Sequence, residues 1–194
     1  MVGWLKGILW KLLMGSKIDR LLKNYSNARK SWEVWCYLSG LNNECKQEFR
    51  ATKLQVDNSP LLSHLRYLAM KDYHIELYKV LKNNPNNKDN IYNLLEKRIR
   101  SNPKNKSDVE KALQMLNAEM AIMNDLCDIR DKFYAHLDKD YENYTSKKSY
   151  VADTGNLFQI VETGIIALTS EEELKKELAK IESRDDYQIS AFLQ

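Results

Sequence analysis

The side chains with the clearest capacity for chemistry in this sequence are Arg130 and His136, which lie six positions apart. A guanidinium group binds phosphate through several planar N–H donors, and an imidazole can take up or release a proton near neutral pH. On an uninterrupted helix, the two side chains point in directions that differ by roughly 120°. They can therefore act on one substrate only where the helix ends or bends, or where a second copy of the chain supplies one of them.

Arg130 is unusual because of the helix on which we expect it. A capping box, Ser107 to Glu110, predicts the start of a long helix that runs from about Asp108 to Tyr134. Its apolar residues fall on one stripe when they are projected at roughly 100° per residue, and they are Val109, Ala112, Leu113, Leu116, Met120, Met123, Cys127 and Tyr134. Arg130 lies within this stripe. Either a carboxylate satisfies its charge, or the guanidinium faces a cleft or a subunit interface and binds an anion.

The residues around this pair resemble a known family. The run Ile129-Arg-Asp-Lys-Phe-Tyr-Ala-His-Leu-Asp138 is similar to the R-x4-6-H motif of the HEPN superfamily (higher eukaryotes and prokaryotes nucleotide-binding), and in particular to its abortive-infection, AbiU-type branch. The resemblance covers about residues 61–168. It implies a helical bundle that dimerises and brings two Arg/His motifs together at the interface. It also implies a metal-independent endoribonuclease that uses the RNA 2′-hydroxyl as its nucleophile.

The resemblance assigns a role to each residue of the motif. Arg130 would bind the scissile phosphate and stabilise charge in the transition state, and His136 would transfer protons. Asp131, the polar second residue, would position one of them. Lys132 lies within the motif and Lys139 follows it, and we expect both to contact the RNA.

The abortive-infection relatives imply a bacterial cytoplasmic protein of phage defence, with RNA as substrate and an antitoxin or other defence protein as partner. HEPN toxins that a nucleotidyltransferase controls often carry a tyrosine two positions after the histidine. Here that position is Asp138, so the resemblance does not support this mode of control. Some HEPN lineages have lost activity, which leaves a non-catalytic RNA-binding or protein-interaction module as the alternative.

Composition points to helices as the elements that hold this motif. The 194 residues are enough for one domain, 43% of them are hydrophobic, and only 6 Gly and 3 Pro occur, so the turn-rich β-sandwiches and barrels are disfavoured. No glycine-rich phosphate loop, HExxH pair or CxxC pair is present. We therefore expect an all-α bundle without a metal or cofactor, and the resemblance implies that it is a HEPN-like antiparallel bundle. The three cysteines and the net charge of +3 fit a reducing cytoplasm and permit a nucleic-acid partner.

The predicted organisation has three parts. Residues 1–55 form an N-terminal extension that packs on the bundle, residues 56–183 form the bundle, and residues 184–194 form a tail. The extension holds an amphipathic helix to about residue 23, which Gly15-Ser16 can break, and a second helix over residues 31–53. The first fourteen residues are too short to span a bilayer. We expect them to pack on the domain or on a second subunit, and a membrane-surface helix is the alternative.

Caps mark the remaining helix starts. Ser59-Pro60 predicts a helix to about residue 82, with an apolar face that includes Leu61, Leu65, Leu68, Tyr78 and Leu81. Asp89 and Asp153 are the predicted caps of two later helices, and Ser170 to Glu173 is a second capping box. The following helix is predicted to carry an ion pair between Glu171 and Lys175.

Overall fold

The computed structural model describes residues 2–40, 47–83, 89–130 and 150–182. These residues form helices and connecting turns, and none of them lies in a β-strand. The helices are α1 (Val2–Ser39), α2 (Gln47–Asp57), α3 (Pro60–Leu81), α4 (Ile91–Arg100), α5 (Lys106–Ala118), α6 (Met120–Asp128), α7 (Tyr150–Leu168) and α8 (Glu171–Glu182). The all-α prediction is therefore confirmed.

Neighbouring helices run in opposite directions. Ser31 of α1 donates a hydrogen bond to Asp72 in the middle of α3, whereas Lys17, earlier in α1, pairs with Asp89 beyond the end of α3. The first turn of α4 meets the last turns of α5 in the same way, since the Tyr92 hydroxyl donates to the Leu116 carbonyl at 3.2 Å.

The core is one cluster to which all the helices except α2 contribute. Fully buried side chains at its centre include Leu21, Tyr25, Leu77, Leu95, Leu116, Leu126, Phe158 and Ile165. Gly164 of α7 lets that helix approach α4 closely, because an added Cβ would lie 2.7 Å from Ile91 Cδ1. α1 is part of this cluster, and the boundary predicted at residue 55 stays a prediction. The predicted tail lies outside the described residues.

The predicted break near Gly15 is wrong, because α1 is continuous from Val2 to Ser39. Nothing lies within 4 Å of a Cβ built at Gly15, so that glycine sits in a regular helix with no close neighbour. The helix ends instead at Gly40, whose φ of 64° is in the left-handed region that glycine adopts without strain. One helix thus replaces the first predicted helix and the start of the second.

The long helix predicted from residue 108 is two helices. α5 ends at Ala118 and α6 begins at Met120, and Glu119 between them has a φ of −97° and a ψ of 18°. The capping box at Ser107 is wrong because α5 already begins at Lys106. Asn105 precedes it, and its amide donates to the Ala167 carbonyl at 2.9 Å rather than capping α5.

The apolar stripe itself is largely confirmed. Val109, Ala112, Leu116, Met123 and Cys127 are buried. Leu113 is half-buried against the core, Met120 is exposed, and Tyr134 lies outside the described residues.

The start of α3 is as predicted, but half of its predicted face is wrong. The Ser59 hydroxyl accepts a hydrogen bond from the Leu62 amide at 3.3 Å, and Pro60 occupies the first turn. Leu61, Leu65 and Leu68 are exposed, whereas Leu81 is buried. The periodicity is real, but the described residues leave this face of the first half of α3 exposed, although α2 packs beside it.

Of the three remaining predicted caps, two are wrong and one is right. Asn90, not Asp89, caps α4, since its side chain accepts from the Asn93 amide at 2.9 Å. α7 starts before Asp153, which is therefore inside the helix. The Ser170 hydroxyl accepts from the Glu173 amide at 3.1 Å, as the capping box predicts. The Glu171–Lys175 pair is also present at 2.6 Å.

Candidate functional site

The structure describes one of the five predicted site residues. Arg130 follows α6, where the regular helix widens into a π-type turn at Ile129 and Arg130. His136, Asp131, Lys132 and Lys139 lie outside the described residues. The structure therefore describes the site through Arg130 and the side chains that surround it.

Arg130 lies on the second half of α3, which runs antiparallel to α6. Its guanidinium carbon is 4.6 Å from the centre of the Tyr78 ring, a distance at which the negative face of an aromatic ring attracts a cation. Both side chains are half-buried. The apolar register of Arg130 thus places it at the rim of the core, where its guanidinium packs on the half-buried Tyr78 ring.

A second cation shares this ring. Lys82, one helical turn after Tyr78, places its Nζ 5.3 Å from the centre of the same ring. We call Tyr78, Lys82 and Arg130 the Tyr78 cluster. Two cationic groups that converge on one ring form an arrangement suited to an anionic ligand, since a phosphate can accept hydrogen bonds from both.

Sequence reasoning missed Tyr78 and Lys82 as members of the site. Their spacing of four residues would have indicated a contact along the helix. Nothing in the local pattern indicates that Arg130, 48 positions after Lys82 in the printed sequence, packs on the same ring. That contact depends on the antiparallel docking of α6 on α3.

A cavity of about 190 Å³ adjoins the cluster through Lys82. Its walls come from the end of α3, the start of α4 and from α6, and they are Leu81, Lys82, Asn83, Tyr92, Met120, Met123, Asn124 and Cys127. Apolar surface and two amides make such a cavity suited to a small, partly polar group. Burial raises the pKa of Tyr92 to about 12, so its hydroxyl stays neutral and donates to the Leu116 carbonyl.

Two other chemically capable side chains, His74 and Cys36, have structural surroundings. Burial lowers the pKa of His74 to about 4, and its Nδ1–H donates to the Met70 carbonyl at 2.8 Å. Burial raises the pKa of the Cys36 thiol to about 12, which makes it a poor nucleophile at neutral pH. No group of three or more His, Cys, Asp or Glu residues that could hold a metal ion occurs among the described residues.

Comparison of this chain with known proteins adds nothing to the geometry of the site. No family model matches the chain, and no curated protein or solved structure is similar to it. Among the described helices, none combines the length and the apolar character that crossing a membrane requires.

Proposed function

We propose that this chain is a HEPN-like, metal-independent endoribonuclease of bacterial phage defence that acts in the cytoplasm as a homodimer. Arg130 binds the scissile phosphate and His136 transfers protons, with Asp131 as the residue that positions one of them. Lys132 and Lys139 contact the RNA beside the motif. An antitoxin or another defence protein controls the activity.

The observation that carries this proposal is the placement of Arg130 in the Tyr78 cluster. Arg130 lies at the rim of the core beside a second cation, Lys82, and next to a cavity. An arginine held by an aromatic ring loses little further rotamer freedom when it binds a planar anion, which favours tight binding of phosphate. This surrounding supports the interpretation of Arg130 as an anion ligand.

The proposed reaction is an intramolecular transesterification. The 2′-hydroxyl oxygen attacks the adjacent phosphorus, the bond to the 5′-oxygen of the next nucleotide breaks, and a 2′,3′-cyclic phosphate forms. One proton leaves the 2′-hydroxyl and one reaches the departing 5′-oxygen, and an imidazole of near-neutral pKa can serve as a transfer group. The guanidinium of Arg130 stabilises the negative charge that develops on the phosphoryl oxygens.

The dimer provides the second half of the proposed site. Roughly 120° of helical rotation separates residues 130 and 136 on a regular helix. A bend after Arg130 or a second copy of the chain must therefore complete the arrangement, and the family to which the motif is similar uses a dimer. Sedimentation at micromolar concentration should accordingly give the mass of two chains, and a strictly monomeric species contradicts this part of the proposal.

The decisive experiment is cleavage of RNA in the presence of EDTA. The unmodified protein should cut single-stranded RNA and leave 2′,3′-cyclic phosphate ends, and it should not cut an oligonucleotide that lacks the 2′-hydroxyl at the scissile position. His136→Ala should abolish cleavage. His64→Ala is the matched control, since His64 is an exposed histidine of α3. Equal cleavage by the unmodified protein and His136→Ala contradicts the catalytic assignment.

One observation favours the second candidate function, a non-catalytic interaction module. Leu54 of α2 and Leu61 of α3 are 63% and 67% exposed, and Leu65 and Leu68 continue the surface along α3. Exposed apolar side chains in one group are typical of protein–protein contact surfaces. Under this alternative, RNA stays intact in the cleavage assay, and Leu61→Ser with Leu65→Ser weakens a complex with a protein partner.

A further inference from the structure

The positive charge of this chain is concentrated in ten residues, 97–106, at the junction of α4 and α5. This segment, which we call the α4–α5 corner, contains no acidic residue and five basic ones, namely Lys97, Arg98, Arg100, Lys104 and Lys106. The net charge of the whole chain is only +3, so the rest of the chain is slightly negative. A local excess of this size produces a positive potential at one end of the bundle.

Backbone and side-chain bonds fix the shape of the corner. The Ser101 amide donates to the Arg98 carbonyl at 3.1 Å, and the Asn102 amide donates to the Ile99 carbonyl at 2.9 Å. Asn102 itself adopts a φ of 49°, a left-handed conformation that asparagine tolerates. The Asn105 amide ties the other side of the turn to the end of α7. The corner therefore presents its cations from a defined turn.

The helix dipole accounts for three of these five charges. The basic residues at the end of α4 lie in its last turn, where the partial negative charge of the helix stabilises cations. Lys104 and Lys106 lie at the start of α5, where the partial positive charge disfavours them. Glu96 pairs with Arg100 at 3.2 Å and Glu110 with Lys106 at 3.6 Å, so acids that flank the corner partly neutralise two of its five cations.

We propose that the α4–α5 corner binds the phosphate backbone of RNA, as a site separate from the Tyr78 cluster. The proposal rests on the proposed function for the identity of the polyanion. α4 connects the two regions: Tyr92 in its first turn lines the cavity, and the corner begins roughly 7.5 Å further along the helix axis. An RNA strand of several nucleotides can therefore contact both.

An anionic membrane is the less suitable polyanion for this surface. Binding at a membrane surface combines basic residues with apolar side chains that enter the lipid. Ile99 is the only large apolar residue of the corner, and it packs against the core instead. The exposed leucines lie on α2 and α3.

The test compares two triple variants with the same change in net charge. The first, Arg100→Gln, Lys104→Gln and Lys106→Gln, neutralises the corner. The second, Lys23→Gln, Lys53→Gln and Lys176→Gln, neutralises three exposed lysines of α1, α2 and α8. Both are made in the His136→Ala chain so that RNA stays intact, and fluorescence anisotropy gives the Kd for a labelled 20-nucleotide RNA and for a dinucleotide over a series of salt concentrations.

The corner variant should weaken binding of the long RNA by roughly 10-fold or more and reduce the slope of log K against log salt by about 2, since each lost phosphate contact removes about 0.7. The control variant should change the Kd by less than about 3-fold, and the dinucleotide should not distinguish the two. Equal losses in both variants overturn the proposal. So does a corner variant that binds RNA normally but loses binding to phosphatidylserine vesicles.

The outcomes separate this proposal from the proposed function. If RNA is never cleaved but the corner variant alone loses RNA binding, the nuclease assignment fails and the corner proposal stands. If cleavage depends on His136 while both triple variants bind RNA equally well, the nuclease assignment stands and the corner proposal fails.

Discussion

Among the described residues, Arg29 and Arg130 both lie on aromatic rings, and their surroundings differ. Arg29 of α1 lies 5.1 Å from the Trp32 ring and 5.5 Å from the Phe158 ring, and it pairs with the carboxylate of Glu33 at 2.7 Å. Arg130 lies 4.6 Å from the Tyr78 ring, and a second cation approaches that ring. The same contact thus occurs once among acids and once beside a lysine.

The acidic side chains around Arg29 give this arginine a structural role. Glu162 of α7 lies 3.9 Å from the guanidinium and accepts a hydrogen bond from the buried Tyr25 hydroxyl. Burial and this bond raise the pKa of Tyr25, so the hydroxyl stays protonated. Burial lowers the pKa of Arg29, but Glu33, Tyr25 and Glu162 outweigh that effect and the pKa is raised. Charges here stabilise each other and hold α1 against α7.

The largest effect that separates the two arginines concerns RNA cleavage. We expect Arg130→Ala to lower cleavage by about 100-fold or more, because a donor that stabilises transition-state charge is lost. Its free energy of unfolding should fall by only about 1–2 kcal/mol, because the cation–π contact is half-buried. Arg29→Ala should retain cleavage when both are assayed below their melting temperatures.

Rates of RNA cleavage and thermal unfolding curves of both variants check this difference. If Arg130→Ala instead loses several kcal/mol of stability and cleaves RNA like the unmodified protein, Arg130 is a structural ion like Arg29.

A second prediction concerns the pH dependence of the free energy of unfolding, to which the buried His74 contributes. His74 is buried and neutral, with a pKa of about 4, whereas a histidine in the unfolded chain titrates near 6.5. The unfolded state therefore binds the proton more readily, and stability is lost as the pH falls from about 6.5 to 4. Roughly 3 kcal/mol of unfolding free energy is at stake.

Urea unfolding at pH 7 and pH 4.5 measures this loss. His74→Phe, which keeps a ring beside Tyr73, should remove much of the pH dependence, whereas the exposed His64→Phe should leave it unchanged. Identical pH profiles for both variants would show that carboxylates alone cause acid unfolding.

How far the sequence predicts this structure depends on the range of the interaction. Caps that use residues three apart, such as Ser59 and Ser170, are predicted correctly because their hydrogen bonds are local. The break at Glu119 has no proline or glycine to signal it. The exposed face at Leu61 could not be predicted, since periodicity gives the direction of a face but not whether another helix covers it.

In the candidate site, too, the local features could be predicted from the sequence and the tertiary contacts could not. Arg130 could be selected from its register on an apolar stripe, because helical projection is a local property. Its contact with Tyr78 could not be predicted, since it results from packing of α6 on α3. The resemblance supplied the pairing of Arg130 with His136, and periodicity alone would have separated them.

A third prediction concerns the free energy that the ion pairs of Arg29 with Glu33 and Glu162 contribute to stability. Arg29→Met keeps the stem on Trp32 and removes the charge, and we expect a loss of about 1–2 kcal/mol because Glu162 and Glu33 then lose a partner in a half-buried site. A double-mutant cycle with Glu162→Gln gives the coupling between the two. The same cycle between Arg130→Met and Glu162→Gln is the control and should give no coupling. A coupling of zero for Arg29 and Glu162 contradicts the structural role.

The smallest effect tests the continuity of α1, the helix that carries Arg29. Gly15→Ala should raise the free energy of unfolding by about 0.5–1 kcal/mol, because alanine favours a helix interior and the new Cβ meets nothing within 4 Å. Gly164→Ala is the matched control within another helix. Its Cβ would lie 2.7 Å from Ile91 Cδ1, so displacement of that side chain offsets the gain. Thermal unfolding of both variants decides the matter: a Gly15→Ala protein less stable than the unmodified chain would mean that α1 bends at Gly15, and Arg29 would then lie on a separate helix.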